Sequence, residues 1–338
     1  MSTLRDIAKL ANVSTATVSR VLNNDTTYKM MDSTRARVWD AIKQLDYKPN
    51  QTIRAASNSS LVIQKNIKIG CVLSVTKDKY NDPYFMSILS GVESRLSSNG
   101  YELSFLRTGL ELEDDNTLYS TFNENVSGLI LMETLNSNTY EYIRKRVSNI
   151  VGIDTKRSDI DNVGYDHYEV AATAVRHLIE NGHTQIGFIG GSGPSNNIKD
   201  SLRYRGYFTT MHAYGLDVNQ EWVMDCHWDE ITCIQLVKKL YQQSNHPTAI
   251  FVSSDLMAMA ALSGLYEIGV NVPKQMAVIG LSNIELSKYS NPPLTTLEIP
   301  TKEIGIVAVD LLLARINGDK LLPKKVILPA SLILRDST

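Results

Sequence analysis

The sequence predicts a small all-α head over residues 1–49, joined through residues 50–65 to a larger α/β body over residues 66–338 whose parallel sheets form two doubly wound lobes. Three observations carry that expectation. The first 45 residues hold three short patterns of helical period and no strand-like run. From Lys68 onward, β-rich apolar runs such as KIGCVLSV, SGLILM, SNIVGID and TAIFVSSD alternate with helical patterns, as in parallel strands joined by crossover helices. Three helical patterns end in glycine, at Asn99-Gly100, Asn181-Gly182 and Ile268-Gly269, and an apolar strand follows each one.

Length and composition agree with this division. At about 150 residues per domain, 338 residues make more than one domain. Apolar residues at 43% and charged residues at 21% give a soluble globular balance and exclude a mainly disordered chain. The amino end, MSTLRDIAKL, is charged where a secretory signal needs an apolar run, and no stretch approaches the roughly 18 apolar residues of a membrane span, so a cytoplasmic location without a membrane partner is expected. Cys71, Cys226 and Cys233 are odd in number and lack CxxC spacing, which predicts packing residues rather than disulfides or a metal site.

Charge is uneven along the chain. Residues 1–60 hold nine Lys/Arg against five Asp/Glu, a net of +4, and the remaining 278 residues hold 25 against 31, a net of -6. A basic head on an acidic body is expected where only the head meets phosphates.

In the head, Thr3 and Asp6 resemble a capping box, with Leu4, Ile7, Ala8 and Leu10 at helical spacing behind them. After a polar break at Asn12, Ser14 can cap a second helix whose Val18, Val21 and Leu22 face inward, leaving a small, polar and basic outer face. Asp32 or Ser33 can cap a third helix with Ala36, Trp39, Ile42 and Leu45 as its buried stripe and Tyr47-Lys48-Pro49 as its stop. Two helices joined by about three residues make a helix-turn-helix whose second helix is slim enough for the major groove. The alternative is a structural bundle with solvated basic residues.

TLRDIAKLANVSTATVSRVLN followed by STRARVWDAIKQLDYKPN resembles the headpiece of the LacI/GalR family of bacterial transcription regulators. The body is similar to the periplasmic-binding-protein-like core of that family, so the likeness covers essentially the whole chain. It implies that Thr15, Ala16 and Arg20 face base edges, while Ser14, Thr17, Ser19 and Asn23 hold phosphates or support the helix. Residues 50–57, from Asn50 onward, correspond to the hinge helix of the family, which wedges into the minor groove. The wedge position is Ala56, a departure that exposes little surface for unstacking a base step, with Ile53 and Arg54 as compensation. An ordinary linker is the alternative for this segment. The lobe crossings then fall near 160–163, 290–293 and 321–324, giving an N-lobe of about 66–161 and 293–321 and a C-lobe of about 162–292 and 322–338.

Open α/β sheets bind ligands at the carboxyl ends of their strands, so the expected effector site is the cleft between lobes. Strand ends and the family pattern together nominate Asp82, Tyr84 and Phe85, then Asp154, Arg203, Trp228, Ser254 and Asp255, and finally Ser282 and Asn283, where Ser282 stands at the acidic position of the family. Carboxylates, a guanidinium and an aromatic face suit a sugar. Other roles stay open: an Arg203–Asp154 structural ion pair, Trp228 as core, Tyr84-Phe85 as a lobe cap, and Asp255 as a helix N-cap.

Enzyme signatures are missing. FIGGSGPS has neither a P-loop lysine nor the GxGxxG order, the His227 surroundings fit no zinc spacing, and no GxSxG elbow occurs. The expectation is a homodimeric repressor of a sugar-utilisation operon, without cofactor or metal, released from a near-palindromic DNA operator by a galactoside-type sugar. DPYF and the ending LPASLILRDST carry the galactoside preference by resemblance, and the lack of a heptad tail after SLILRDST favours a dimer over a tetramer. Two alternatives accompany it: control by a regulatory protein partner, and a purine-like corepressor that tightens DNA binding.

Overall fold

A computed structural model of the chain describes residues 2–22, 30–45, 47, 67–74, 82–192 and 197–338. The chain divides into two compact units, the first comprising Met1–Tyr80, Leu96–Ile160 and Asp310–Leu322, the second Asn81–Arg95, Asp161–Val309 and Pro323–Thr338.

In the first unit the head opens with α1 (Leu4–Ala11). The Thr3 hydroxyl accepts from the Asp6 amide, and the Asp6 carboxylate accepts from the Thr3 amide at 2.8 Å, completing the expected capping box with Asp in place of Glu. Hydrogen bonds from Thr3 hold the Asp6 carboxyl below the usual aspartate range. The helix stops at Asn12, which takes left-handed φ of 53°. Next come α2 (Thr15–Leu22) and α3 (Asp32–Gln44), and the three helices share a buried cluster of Ile7, Ala11, Val18, Val21, Trp39 and Ile42.

Three details of the head differ from expectation. Leu10 is 48% exposed and Ala11 takes the inward place, because spacing of three and four from Ile7 and Ala8 leads to Ala11. Ala36 is exposed, and the inward face of α3 is Val38, Trp39, Ala41 and Ile42. Neither Asp32 nor Ser33 caps α3, whose N-cap is Met31 without a side-chain bond.

The same unit contains β1 (Ile69–Leu73), β2 (Leu103–Thr108), α5 (Asp115–Phe122), β3 (Gly128–Met132), α6 (Ser137–Arg144) and β4 (Ile150–Ile153). The strands pair in parallel in the order β2-β1-β3-β4. Val72, Phe122, Leu129, Leu131, Tyr140 and Ile143 form their core. Tyr119 of α5 instead joins the head cluster: its ring lies 4.9 Å from that of Trp39 at 58°, and burial pushes its hydroxyl pKa up. Beside it Lys43 Nζ meets Asp115 Oδ1 at 2.5 Å.

The second unit begins with α4 (Pro83–Ser98), whose last turn from Leu96 belongs to the first unit, and pairs β5 (Asp161–Tyr165) in parallel with β11 (Lys325–Leu328). Its main sheet is built from β6 (Ile186–Gly190), β7 (Val223–Asp225), β8 (Ala249–Val252), β9 (Ala277–Ser282), β10 (Thr295–Glu298) and β12 (Ser331–Ile333). The strand order is β12-β10-β9-β8-β6-β7, and all pairings are parallel except that of β12 with β10. The helices are α7 (His167–Glu180), α8 (Leu202–Ala213), α9 (Glu230–Tyr241) and α10 (Asp255–Glu267), and α11 (Thr301–Ile316) starts in this unit and continues into the first from Asp310.

Alternating strand and helix patterns therefore become parallel sheets, as read from the sequence. Gly100, Gly182 and Gly269 follow the ends of α4, α7 and α10 with φ of 75°, 91° and 75°, the left-handed turn that releases the chain into the next strand. Cys71, Cys226 and Cys233 are buried free thiols. Among the described residues, no helix is long and apolar enough to cross a membrane.

Candidate DNA-reading face and ligand site

The turn between α1 and α2 is three residues long, Asn12 to Ser14. Ser14 Oγ accepts from the Thr17 amide at 3.0 Å and pairs with Thr17 Oγ1 at 2.9 Å, so it caps α2 as expected. Val18 and Val21 point into the core, which leaves Ser14, Thr15 and Ala16 exposed and Thr17, Ser19 and Arg20 half-buried on the other faces. A helix N-terminus with small residues and a guanidinium on its outer side has the dimensions and charge for a major groove. Asn23, Asn50, Ile53, Arg54 and Ala56 lie outside the described residues.

In the second unit, the carboxyl ends of the parallel strands gather most of the nominated residues. At the end of β7, Asp225 Oδ1 accepts from the amides of Ser192, at 3.0 Å, and His227, at 2.9 Å. Those bonds hold His227 and Trp228 in left-handed conformation, with φ of 52° and 58°. The Trp228 ring is half-buried against the core. Gly191 lies so near it that a Cβ there would sit 2.4 Å from ring atoms, so this position must lack a side chain. Over the same ring stands the Arg203 guanidinium, 5.5 Å from the centroid. Arg203 Nη2 also donates to the Tyr165 hydroxyl at 2.6 Å, and Tyr165 stacks on His167 with centroids 4.0 Å apart.

A second group lies past β8 and β9. Ser254 is the N-cap of α10, its hydroxyl accepting from the Met257 amide. The next residue, Asp255, is wholly buried, and both its oxygens accept from the protein: Oδ1 from the Thr296 hydroxyl at 2.5 Å and Oδ2 from the Ile284 amide at 2.9 Å. Burial pushes its pKa up to about 6, against the hydrogen bonds and the charge of Arg335. Gly280 makes room for it, since a Cβ there would sit 2.4 Å from Oδ1. Ser282 is buried with φ of 126°, and Asn283 is half-buried with φ of 54°.

Two nominated groups have local roles. Asp82 Oδ1 accepts from the Tyr84 amide at 2.9 Å at the start of α4, and Tyr84 and Phe85 pack edge to face at 5.1 Å. Asp154 belongs to the first unit, following β4 with φ of 51°. Sequence reasoning missed Tyr165, His167, Asp225 and Arg335. Asp225, three residues before Trp228, had a local signal as an Asx-type anchor for a turn, whereas the others meet their partners only through the fold. Among the described residues, no group of three His, Cys, Asp or Glu side chains is placed to hold a metal ion.

Comparison with known proteins agrees with both halves. Residues 3–50 match the model described as bacterial regulatory proteins, lacI family, and residues 175–338 match a periplasmic binding protein-like domain. The HTH-type transcriptional repressor PurR of Actinobacillus pleuropneumoniae serotype 3 (strain JL03) is 35% identical over 324 residues, 95% of this chain and 93% of its own length. Among solved structures, a complex of the transcriptional regulator CelR with cellobiose is similar at TM-score 0.73 and 26% identity, covering 100% of both chains. The lac repressor dimer bound to operator and the anti-inducer ONPF is similar at TM-score 0.70 and 25% identity, covering 99% of this chain and 98% of that one. A helix-turn-helix head on a parallel-sheet, ligand-binding type of core, matched along almost its whole length by DNA-binding repressors, makes this chain a member of the LacI family of bacterial transcription regulators and not an enzyme.

Proposed function

We propose that this LacI-family repressor binds a near-palindromic operator as a homodimer and that a purine-type corepressor, held at the strand ends of its core, tightens that binding. The observation that carries this reading is the 35% identity to PurR repressors over 95% of the chain, which supports the corepressor alternative above the galactoside-released repressor expected from DPYF and the chain ending. The site chemistry is compatible: the Trp228 ring would offer an aromatic surface to a planar heterocycle, and the Arg203 guanidinium beside it would donate to ring acceptors. Thr15, Ala16 and Arg20 would read bases, and Ser14, Thr17 and Ser19 would hold phosphates. Corepressor and operator then raise each other's affinity through one coupling free energy, about 1–3 kcal/mol in typical cases.

A second reading, sugar-controlled binding, is favoured by the likeness to CelR in complex with cellobiose. Operator retention of the full-length protein, titrated with adenine, guanine, hypoxanthine, cellobiose and galactosides, separates the two. Tightening by about 5–150-fold with a purine base is the expected result. Release by a sugar transfers the assignment to the second reading. Indifference to every compound removes both and leaves the protein-partner alternative.

A further inference from the structure

The end of β9 and the residue after it take positive φ, a conformation costly for Ser282 and better tolerated by Asn283. Ser282 and Asn283 are L-residues with φ of 126° and 54°. Such a pair persists only where neighbours overdetermine it. Here Asp255 Oδ2 takes the Ile284 amide at 2.9 Å, and the Asn283 amide reaches Thr296 Oγ1 at 3.4 Å. Both polar atoms of the Asn283 side chain are used as well: Nδ2 donates to Glu298 Oε1 at 3.0 Å, and Oδ1 accepts from Arg335 Nη2 at 2.5 Å.

Arg335 has a wider grip than any other member of this set. Its Nη1 donates to the Leu294 carbonyl at 2.6 Å and to Ser287 Oγ at 3.1 Å, so one guanidinium spans both ends of the segment 283–294. Its own backbone is tied to β10, its amide donating to Thr295 Oγ1 at 3.0 Å and its carbonyl accepting from the same hydroxyl at 3.1 Å. A planar fork with several donors meets three divergent acceptors, which a lysine ammonium on a flexible stem cannot match.

We propose that Arg335 is a positioning residue for the ligand site: it fixes the left-handed turn at Ser282-Asn283 without touching the ligand, and so sets the shape that turn presents. The proposal rests on the reading of Ser282 and Asn283 as part of the effector site. Because the Asn283 backbone amide, its side-chain carboxamide and the Ser282 hydroxyl, which donates to the Leu281 carbonyl, are all engaged inside the protein, the turn contributes shape rather than free donors.

The test uses the full-length chain and R335A, R335K and N283A. Amide hydrogen exchange over 281–289 is measured, together with binding of hypoxanthine and of cellobiose read by tryptophan fluorescence. R335A is expected to speed exchange in 281–289 at least tenfold with α7 and β6 unchanged, and to weaken by fivefold or more whichever probe the wild type binds. R335K should recover part of both, since it restores one of the three bonds. N283A removes the Arg335–Asn283 and Glu298–Asn283 links together with a residue suited to φ of 54° and should loosen the same segment, and unchanged exchange in this variant overturns the proposal even if R335A unfolds the unit. Unchanged exchange over 281–289 in both alanine variants overturns the proposal, and so does a loosened loop with undiminished probe affinity. Failure of the wild type to bind either probe counts against the effector reading alone, while the exchange data still decide whether Arg335 holds the turn.

Discussion

Replacing Asp255 with asparagine should flatten one part of the pH dependence of stability. The carboxyl is fully buried at the start of α10, and burial outweighs the Thr296 and Ile284 hydrogen bonds and the Arg335 charge, raising its pKa from 3.8 to about 6. An acid whose folded pKa exceeds its unfolded value holds its proton more tightly when folded. Its contribution to stability is therefore complete below pH about 4 and lost as pH rises through about 6. Roughly two pKa units at 1.36 kcal/mol each make the whole contribution about 3 kcal/mol, of which about 1.4 kcal/mol falls between pH 5 and 7.5. In D255N nothing ionises, and the Thr296 hydroxyl can turn from donor to acceptor to meet the new amide. Urea unfolding of both proteins at pH 5 and 7.5 isolates the effect, because every other titrating group cancels in the difference. Wild type is expected to lose about 1.4 kcal/mol relative to the variant across that interval. Parallel pH profiles for the two proteins would refute the argument, because they would mean that Asp255 titrates alike in the folded and unfolded chains.

Other perturbations separate the remaining roles. Arg20→Ala should weaken operator binding by about 5–150-fold if the guanidinium makes a bidentate guanine contact, and should relax the preference at one base position in a competition series. Ser14→Ala removes the acceptor of the Thr17 amide and should cost about 1 kcal/mol of head stability by denaturation. Gly191→Ala forces the Trp228 ring away from a Cβ at 2.4 Å and should shift tryptophan emission and abolish its response to ligand. Lys43→Ala breaks a pair whose side chains are 42% and 36% exposed, so its effect on stability should stay below about 1 kcal/mol in a melting experiment.

What could be read from the sequence follows the range of the interactions involved. Thr3 with Asp6, Ser14 with Thr17, and the glycines after α4, α7 and α10 are bonds and turns within a few residues, and sequence spacing announces them. Leu10 and Ala36 were misassigned because one-residue shifts on a short helix exchange inward and outward faces, and small alanines fill the inward places at 11 and 41. At the ligand site, Arg203 and Trp228 were visible as unusual residues near strand ends. Tyr165, 38 residues from its partner Arg203, was not, and Arg335, 52 residues from Asn283, had no local mark at all. The sequence nominates Asp255 as a ligand residue with a helix cap as the alternative, whereas Ser254 fills the cap and the buried Asp255 carboxylate holds the next strand's exit.

Tyr119 changes how this protein can be cut and recombined. The apolar cluster of the head is closed by a ring that comes from α5, some seventy positions beyond α3. A fragment excised near residue 49 would leave the indole of Trp39 uncovered on one side, and it should be sticky at the concentrations used for spectroscopy. Chimaeric regulators that graft this reader onto a foreign core should accordingly behave better when an aromatic is supplied at the position of Tyr119.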